Sequence, residues 1–298
     1  MLGPRHQNLW FWVFVGPFML GLVVFILIPI GWSLYLSFFE ARATVTPTEF
    51  VGFGNYLDML KDRAFRDSLW TFVVFSAVIV PVTFVLSLGL AVLVGQARWF
   101  QTFFRSVFFL PTACSYVVAS LIWKMSIFSG LRSGVANSVF GLLGVEPIAF
   151  LSITDPPWYW LVITTARLWL QVGFYMILFL AGINRISPTL YEAAAIDGAG
   201  GWQSFRYITL PQLRPTSAAV LLLLLINAFQ AFDEFFNILA TFGGYPPYAR
   251  PPLVYLYYVA LGQSQDFGHG TAGATILALI IGVIALGFGR LLRTRPVT

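Results

Sequence analysis

The sequence predicts an all-α, polytopic membrane protein with six transmembrane helices and one helical hairpin on the cytoplasmic side. Three observations carry this. Only 10% of its 298 residues are charged and 58% are hydrophobic, whereas a soluble globule has roughly a quarter of its residues charged. Six apolar runs with few or no charges reach the length of about 20 residues that crosses a hydrocarbon core of about 30 Å. Basic residues, finally, crowd the segments on one side of those runs.

The runs lie near Phe11–Phe38, Ser68–Gln96, Ser106–Phe128, Trp158–Ile183, Pro215–Thr241 and Thr271–Leu292. Lys124 falls near the end of the third, where its stem is expected to snorkel outward. Ser133–Val145 is bracketed by Arg132 and Glu146, and its thirteen uncharged residues are too few to span, so it reads as interfacial. Leu253–Gln265 is likewise short and follows "YPPYARPP". The first run, about 30 residues, exceeds the 7 to 15 of a signal-peptide core, and no small-x-small cleavage pattern follows it, so it is expected to be retained. The whole of 1–298 then reads as a single transmembrane domain.

Orientation follows from the basic residues. With the N-terminus inside, the cytoplasmic segments carry nine of them (Arg5, Arg98, Arg105, Arg185, Arg206, Arg214, Arg290, Arg293, Arg295) against Glu192 and Asp197, while the outer segments hold seven basic and ten acidic residues. Both termini are expected in the cytoplasm of a bacterial or archaeal cell, with the chain multi-pass in the cytoplasmic membrane. The net charge of +5 is thereby a topology signal and implies a lipid bilayer as partner. No basic cluster interleaved with aromatics points to nucleic acid.

Several chemistries are excluded. Two histidines and one cysteine, Cys114 within a run, give no metal-ligand spacing and no disulfide. Neither lysine, Lys61 or Lys124, sits in a phosphate-cradling G-x-x-x-x-G-K-[ST] loop, so no nucleotide cofactor is expected in this chain and it is not expected to be an enzyme. An ion-coupled carrier, the alternative of a different class, normally keeps carboxylates near mid-membrane. Only Asp233 and Glu234 qualify, and no inverted repeat is visible.

Between Arg185 and Arg214 the chain turns polar: "LYEAAAIDGAGGWQSFRYITLPQL". Ser187 as N-cap with Pro188 at the first helical position starts a short helix, and Gly198, Gly200 and Gly201 stop it. A second, roughly Trp202–Ile208, is expected to end before Leu210 and Pro211. A solvated connecting loop would also be polar. A loop, however, has no need for the small-residue surface Ala193–Ala195 beside a lone carboxylate, Glu192, a combination suited to docking into a groove with a basic partner.

The spacing Glu192-Ala193-Ala194, three residues, Gly198, nine residues, Ile208, one residue, Leu210-Pro211 resembles the cytoplasmic loop of the permease subunits of binding-protein-dependent ABC importers. "FLAGINRISPTLYEAAAIDGAG", "FVGFGNY" (Phe50–Tyr56), "FFLPTA" (Phe108–Ala113) and "AFDEFFNILATFGG" (Ala231–Gly244) extend the resemblance along most of the chain, to the sugar-type subfamily containing the maltose and glycerol-phosphate permeases and to the first of two permeases. The "YPPYARPP" run departs from the shorter turn usual there. The resemblance implies a coupling helix seated in a groove of a cytoplasmic ATPase, turning closure of the ATPase dimer into rigid-body rotation of membrane helices. Glu192 would pair with an arginine of that ATPase, Ala193–Ala195 would pack closely, and Asp197, Gly198, Ile208, Leu210 and Pro211 would complete the loop. The implied partners are a second permease, a cytoplasmic ATPase dimer holding ATP and Mg²⁺, and an external solute-binding protein. The implied solute is a carbohydrate, with a glycerol-phosphate or glycerophosphodiester as the alternative.

Sugars are held by aromatic platforms and side-chain hydrogen bonds, so polar and aromatic residues of the fourth and fifth runs are candidates for the solute path: Trp169, Gln171, Tyr175, Asn227, Gln230 and Asp233. With 52 aromatic residues, packing or an interfacial belt explains any single one equally. Arg167 lies about ten residues into the fourth run, where a guanidinium costs at least ~2.5 kcal/mol unless paired or hydrated. Either it caps a later-starting span from outside, or it faces the cavity and pairs with Asp233 or an anionic part of the solute. Asp233 and Glu234 mark either the outer end of the fifth span or a bend lining the cavity.

Overall fold

The computed structural model describes residues 4–97, 99–153, 155–239, 249–262 and 264–291, with side chains from Trp10 onward. Arg98, the outer end of the fifth run (240–241), the first half of "YPPYARPP" (245–248) and the C-terminal Arg293 and Arg295 lie outside the described residues.

Helix α1 (Pro4–Leu22), a π turn (Val23–Leu27) and α2 (Ile28–Leu36) form one continuous apolar span over Trp10–Leu36. A two-stranded antiparallel ribbon pairs β1 (Phe39–Glu40) with β2 (Glu49–Phe50). Then come α3 (Gly54–Lys61), α4 (Arg63–Gln96), α5 (Gln101–Phe109), a 3₁₀ turn (Leu110–Ala113), α6 (Tyr116–Ile122), a π turn (Trp123–Ile127) and α7 (Val135–Leu142). The second half holds α8 (Tyr159–Ile183), α9 (Pro188–Ile196), α10 (Gly201–Ser204), a π turn (Phe205–Thr209), α11 (Leu210–Gln212), α12 (Arg214–Phe229), α13 (Asp233–Leu239), α14 (Pro252–Leu261) and α15 (Phe267–Leu291). Among the described residues five helical segments are long and apolar enough to cross a membrane, and the pair Gln101–Ala113 with Tyr116–Ile127, bent by 96°, makes a sixth.

The chain forms two compact units. The first comprises 1–66 and 255–280, the second 67–254 and 281–298. In the first, Asn55 donates to the carbonyls of Ser37 (3.0 Å) and Phe39 (2.9 Å), fastening α3 to the chain leaving the first span. Asp266 holds Arg42 at 3.1 Å and the side chain of His269 at 3.1 Å, and its Oδ1 accepts from the backbone N–H of His269, capping the start of α15.

The second unit is built on α4, α8 and α12, whose buried Leu88, Ala91, Met176, Phe179, Leu180, Val220 and Leu224 form a common core. Hydroxyls tie the helices where backbones come close: Ser87 donates to the carbonyl of Val172 (3.0 Å) and Thr112 to that of Leu170 (3.1 Å), as hydroxyls do between helices in a medium with no competing water.

Three sequence expectations need correction. The third span is not one straight helix: Pro111 sits in a 3₁₀ turn, Cys114 is extended, and Ser115 restarts the helix as N-cap, its Oγ accepting from the N–H of Val118 (3.2 Å). Lys124 does more than snorkel outward, because its Nζ donates to the carbonyl of Asn237 (3.2 Å), in the last turn of α13, where a cation complements the helix dipole. The fifth span, Arg214–Leu239, is interrupted at Gln230–Phe232 between α12 and α13, so Asp233 and Glu234 start its second helical piece.

Candidate functional site

Inside the second unit, α6, α8, α12 and the turn before α6 line an open cavity of about 260 Å³, formed by Thr112, Cys114, Tyr116, Leu170, Gln171, Phe174, Tyr175 and Asn227. Every lining group is neutral. Gln171 Nε2 donates to Tyr116 Oη (2.6 Å) and to Asn227 Oδ1 (3.1 Å), so one amide joins all three helices. Tyr175 is buried, with a hydroxyl that makes no well-formed hydrogen bond.

Arg167 stands behind this wall. It and Glu234 are each 2% exposed and form an ion pair; the guanidinium also donates to the carbonyl of Asn227 and lies 5.4 Å from the Phe75 ring and 5.5 Å from that of Tyr116. Its partner is therefore Glu234 rather than Asp233, and it neither lines the cavity nor caps the outer end of the fourth span, which begins eight residues earlier at Tyr159. Residues 233 and 234 differ by about 100° around a helix, and the start of α13 decides which carboxylate points inward.

Of the sequence candidates, Gln171, Tyr175 and Asn227 are brought together. Trp169, 39% exposed, packs on Trp123 (centroids 5.0 Å) away from the cavity. Gln230 is exposed at the break, and Asp233 is half-buried with its carbonyl accepting from Asn237 (2.7 Å). Sequence reasoning missed Tyr116 and Thr112, and it named Glu234 without pairing it with Arg167. The proline within "FFLPTACSY" was the signal that could have found the first two, since a break in a span brings polar side chains to a cavity.

The hairpin is the second site. Helix α9 starts at Pro188 after Ser187, and it ends in a left-handed residue, Gly198 (φ +78°). The N–H of Ala199 reaches the carbonyl of Ala194 (2.9 Å) and that of Gly198 the carbonyl of Ala195 (3.1 Å), a complete Schellman closure. Of the three glycines expected to stop the helix, only Gly198 needs its conformational freedom: Gly200 (φ −74°) instead starts α10, where its N–H donates to Gln203 Oε1 (2.8 Å). The second helical piece also runs on to Gln212 through Pro211. The preceding π turn, Phe205–Thr209, supplies the local widening by which a helix accommodates proline.

Tyr191 Oη and Thr209 Oγ1 (2.9 Å) fasten the two pieces together, and Phe205 and Leu210 pack with Ile183 and Ile186 onto the core beneath. The opposite side is bare: Ile196 (88% exposed), Trp202 (73%) and Tyr207 (74%) stand out among exposed Glu192, Ala193, Ala195, Asp197 and Gly198, with Ala194, Ile208 and Pro211 partly covered. Its inner side anchored and its outer side apolar, this hairpin has the form of a docking element.

The profile of the binding-protein-dependent transport system inner membrane components matches residues 84–296. The chain belongs to that family. This inner membrane component is 33% identical over 93% of its length to a protein of Pyrococcus horikoshii described as a "Probable ABC transporter permease protein", covering 93% of it. It is 31% identical over 94% of its length to the lactose transport system permease protein LacF of Rhizobium radiobacter, again covering 93%. Its fold is that of a chain in the crystal structure of a bacterial ABC transporter importing the acidic polysaccharide alginate, with a TM-score of 0.85, coverage of 97% and 96% of the two chains, and 23% identity. The family places the protein in the inner membrane, spanning it several times, as a transport permease.

Proposed function

We propose that this permease forms half of the translocation path of an ATP-driven importer for an uncharged carbohydrate. The observation that carries the substrate class is the cavity wall. Gln171, Asn227 and Tyr116 offer amide and phenol groups beside aromatic faces, the recognition set for sugar hydroxyls, and Arg167, the cation behind this wall, is already neutralised by Glu234. The lactose permease relative agrees with this reading. A glycerol-phosphate would need a free cation, so the pairing of Arg167 argues against that alternative.

The bare face of the hairpin suits the groove of a cytoplasmic ATPase, with Glu192 offered to a basic group. ATP and Mg²⁺ would bind there and not in this chain. A second permease would supply the other cavity wall, and an external binding protein would deliver the solute. Uptake by the reconstituted complex tests the substrate class: neutral disaccharides are expected to compete with one another, and glycerol-phosphate is not. Competition by glycerol-phosphate alone would refute the proposal.

The hairpin, and both termini with it, would lie in the cytoplasm. In a Cys114→Ala background, a cysteine in place of Gln203, exposed on α10, is expected to react with an impermeant thiol reagent only after the membrane is opened. Reaction in intact cells would reverse the orientation.

A further inference from the structure

We infer that Arg167 and Glu234 are a positioning pair that fastens the break in the fifth span and thereby holds the neutral wall of the cavity in place. The break at Gln230–Phe232 creates two helix ends inside the membrane, a C-terminal one on α12 and an N-terminal one on α13. Helix ends lose their regular backbone partners, and at the first end the N–H groups of Gln230 and Ala231 turn back to the carbonyls of Asn227 and Ala228 (both 3.2 Å). Arg167, reaching across from α8, bridges the two ends: it adds a second donor to the carbonyl of Asn227 in the last turn of α12 and pairs with Glu234 in the first turn of α13. The signs agree with the helix dipoles, cation at the C-terminal end and carboxylate at the N-terminal end.

Asn227 is shared between fastening and wall. Its carbonyl is held by Arg167, while its side chain accepts from Gln171, which also donates to Tyr116, whose ring lies beside the guanidinium. The contacts close a ring: Arg167, Asn227, Gln171, Tyr116 and Arg167 again. All four links run between groups on α6, α8 and α12. A change in the ion pair therefore moves the wall without any contact between Arg167 and solute. Removing one partner leaves a lone buried charge, whereas removing both leaves none.

This inference rests on the cavity being the solute path, but its first readout needs no solute. Cys114, the only cysteine, lines the cavity, and its alkylation rate in the assembled complex reports how well the wall is held. Arg167→Gln and Glu234→Gln are each expected to accelerate alkylation about fivefold and to cut transport about tenfold, and the double variant to return both to within about threefold of wild type, the non-additivity of an interacting pair. Failure of a single variant to assemble, with assembly of the double, supports the same coupling. Additive losses in the double variant, unchanged Cys114 reactivity in both singles, or loss of assembly in all three would overturn it. If alkylation follows the expected pattern while transport of neutral sugars is absent in the wild type, the fastening stands and the carbohydrate reading falls.

Discussion

Gly173→Val is expected to abolish recovery of the folded permease. Gly173 lies on α8 where α5 crosses it, and a Cβ at that position runs into the carbonyl group of Phe108, with the backbone nitrogen of Phe109 next. The obstacle is main chain, so no rotamer change relieves it. Overpacking a well-packed core costs about 1 to 3 kcal/mol even where side chains can yield, and here α5 itself must retreat. The Thr112–Leu170 and Ser87–Val172 hydrogen bonds, which pin the same stretch of α8, would be strained with it. Because membrane helices lack a hydrophobic drive toward one another and depend on such close approach, the variant is expected to be degraded or aggregated in detergent. Size-exclusion chromatography of the solubilised complex checks this, and a monodisperse peak at wild-type yield would show that the crossing is looser than described.

The opposite outcome is expected at the hairpin, where two substitutions should leave assembly intact and disconnect it from ATP hydrolysis. Gly198 (φ +78°) meets no neighbour within 4 Å of an added Cβ, so Gly198→Val introduces no clash within the chain. Its cost is the left-handed backbone, about 1 to 2 kcal/mol for a residue with a Cβ, which opens the Schellman closure and re-aims α9. Glu192 is exposed, as are Ala193 and Ala195 beside it. If the proposed contact with the ATPase forms, Glu192→Lys would reverse a charge-assisted interaction of roughly 1.5 to 3 kcal/mol and leave the membrane helices untouched. Both variants should insert, pair with the second permease and lose stimulation of ATP hydrolysis by the solute-loaded binding protein. Wild-type stimulation in both would remove the hairpin from the coupling path.

How far the sequence foretold the site depends on what each feature required. Spans were legible because hydrocarbon thickness demands long uncharged runs, and α9 was legible because Ser187, Pro188 and Gly198 act locally. The bend at Cys114 was not, since a 3₁₀ turn with a restart at Ser115 leaves the run as apolar as a straight helix. Similarly, the choice of Glu234 over Asp233 hangs on where α13 begins, one residue's difference that only packing resolves. Tyr116 joins Gln171 from 55 residues away, a contact with no local trace. Pro211 misled for a related reason: the wide turn before it let the helix continue.

The central claim is that this permease moves its solute by energy received through the hairpin from a separate ATPase. Its most direct measurement is solute accumulation in sealed proteoliposomes holding this chain, the second permease, the ATPase and the external binding protein. Accumulation is expected to require ATP on the hairpin side and to persist when every ion gradient is collapsed. Accumulation that proceeds without ATP and stops when a proton or sodium gradient is removed would contradict the account.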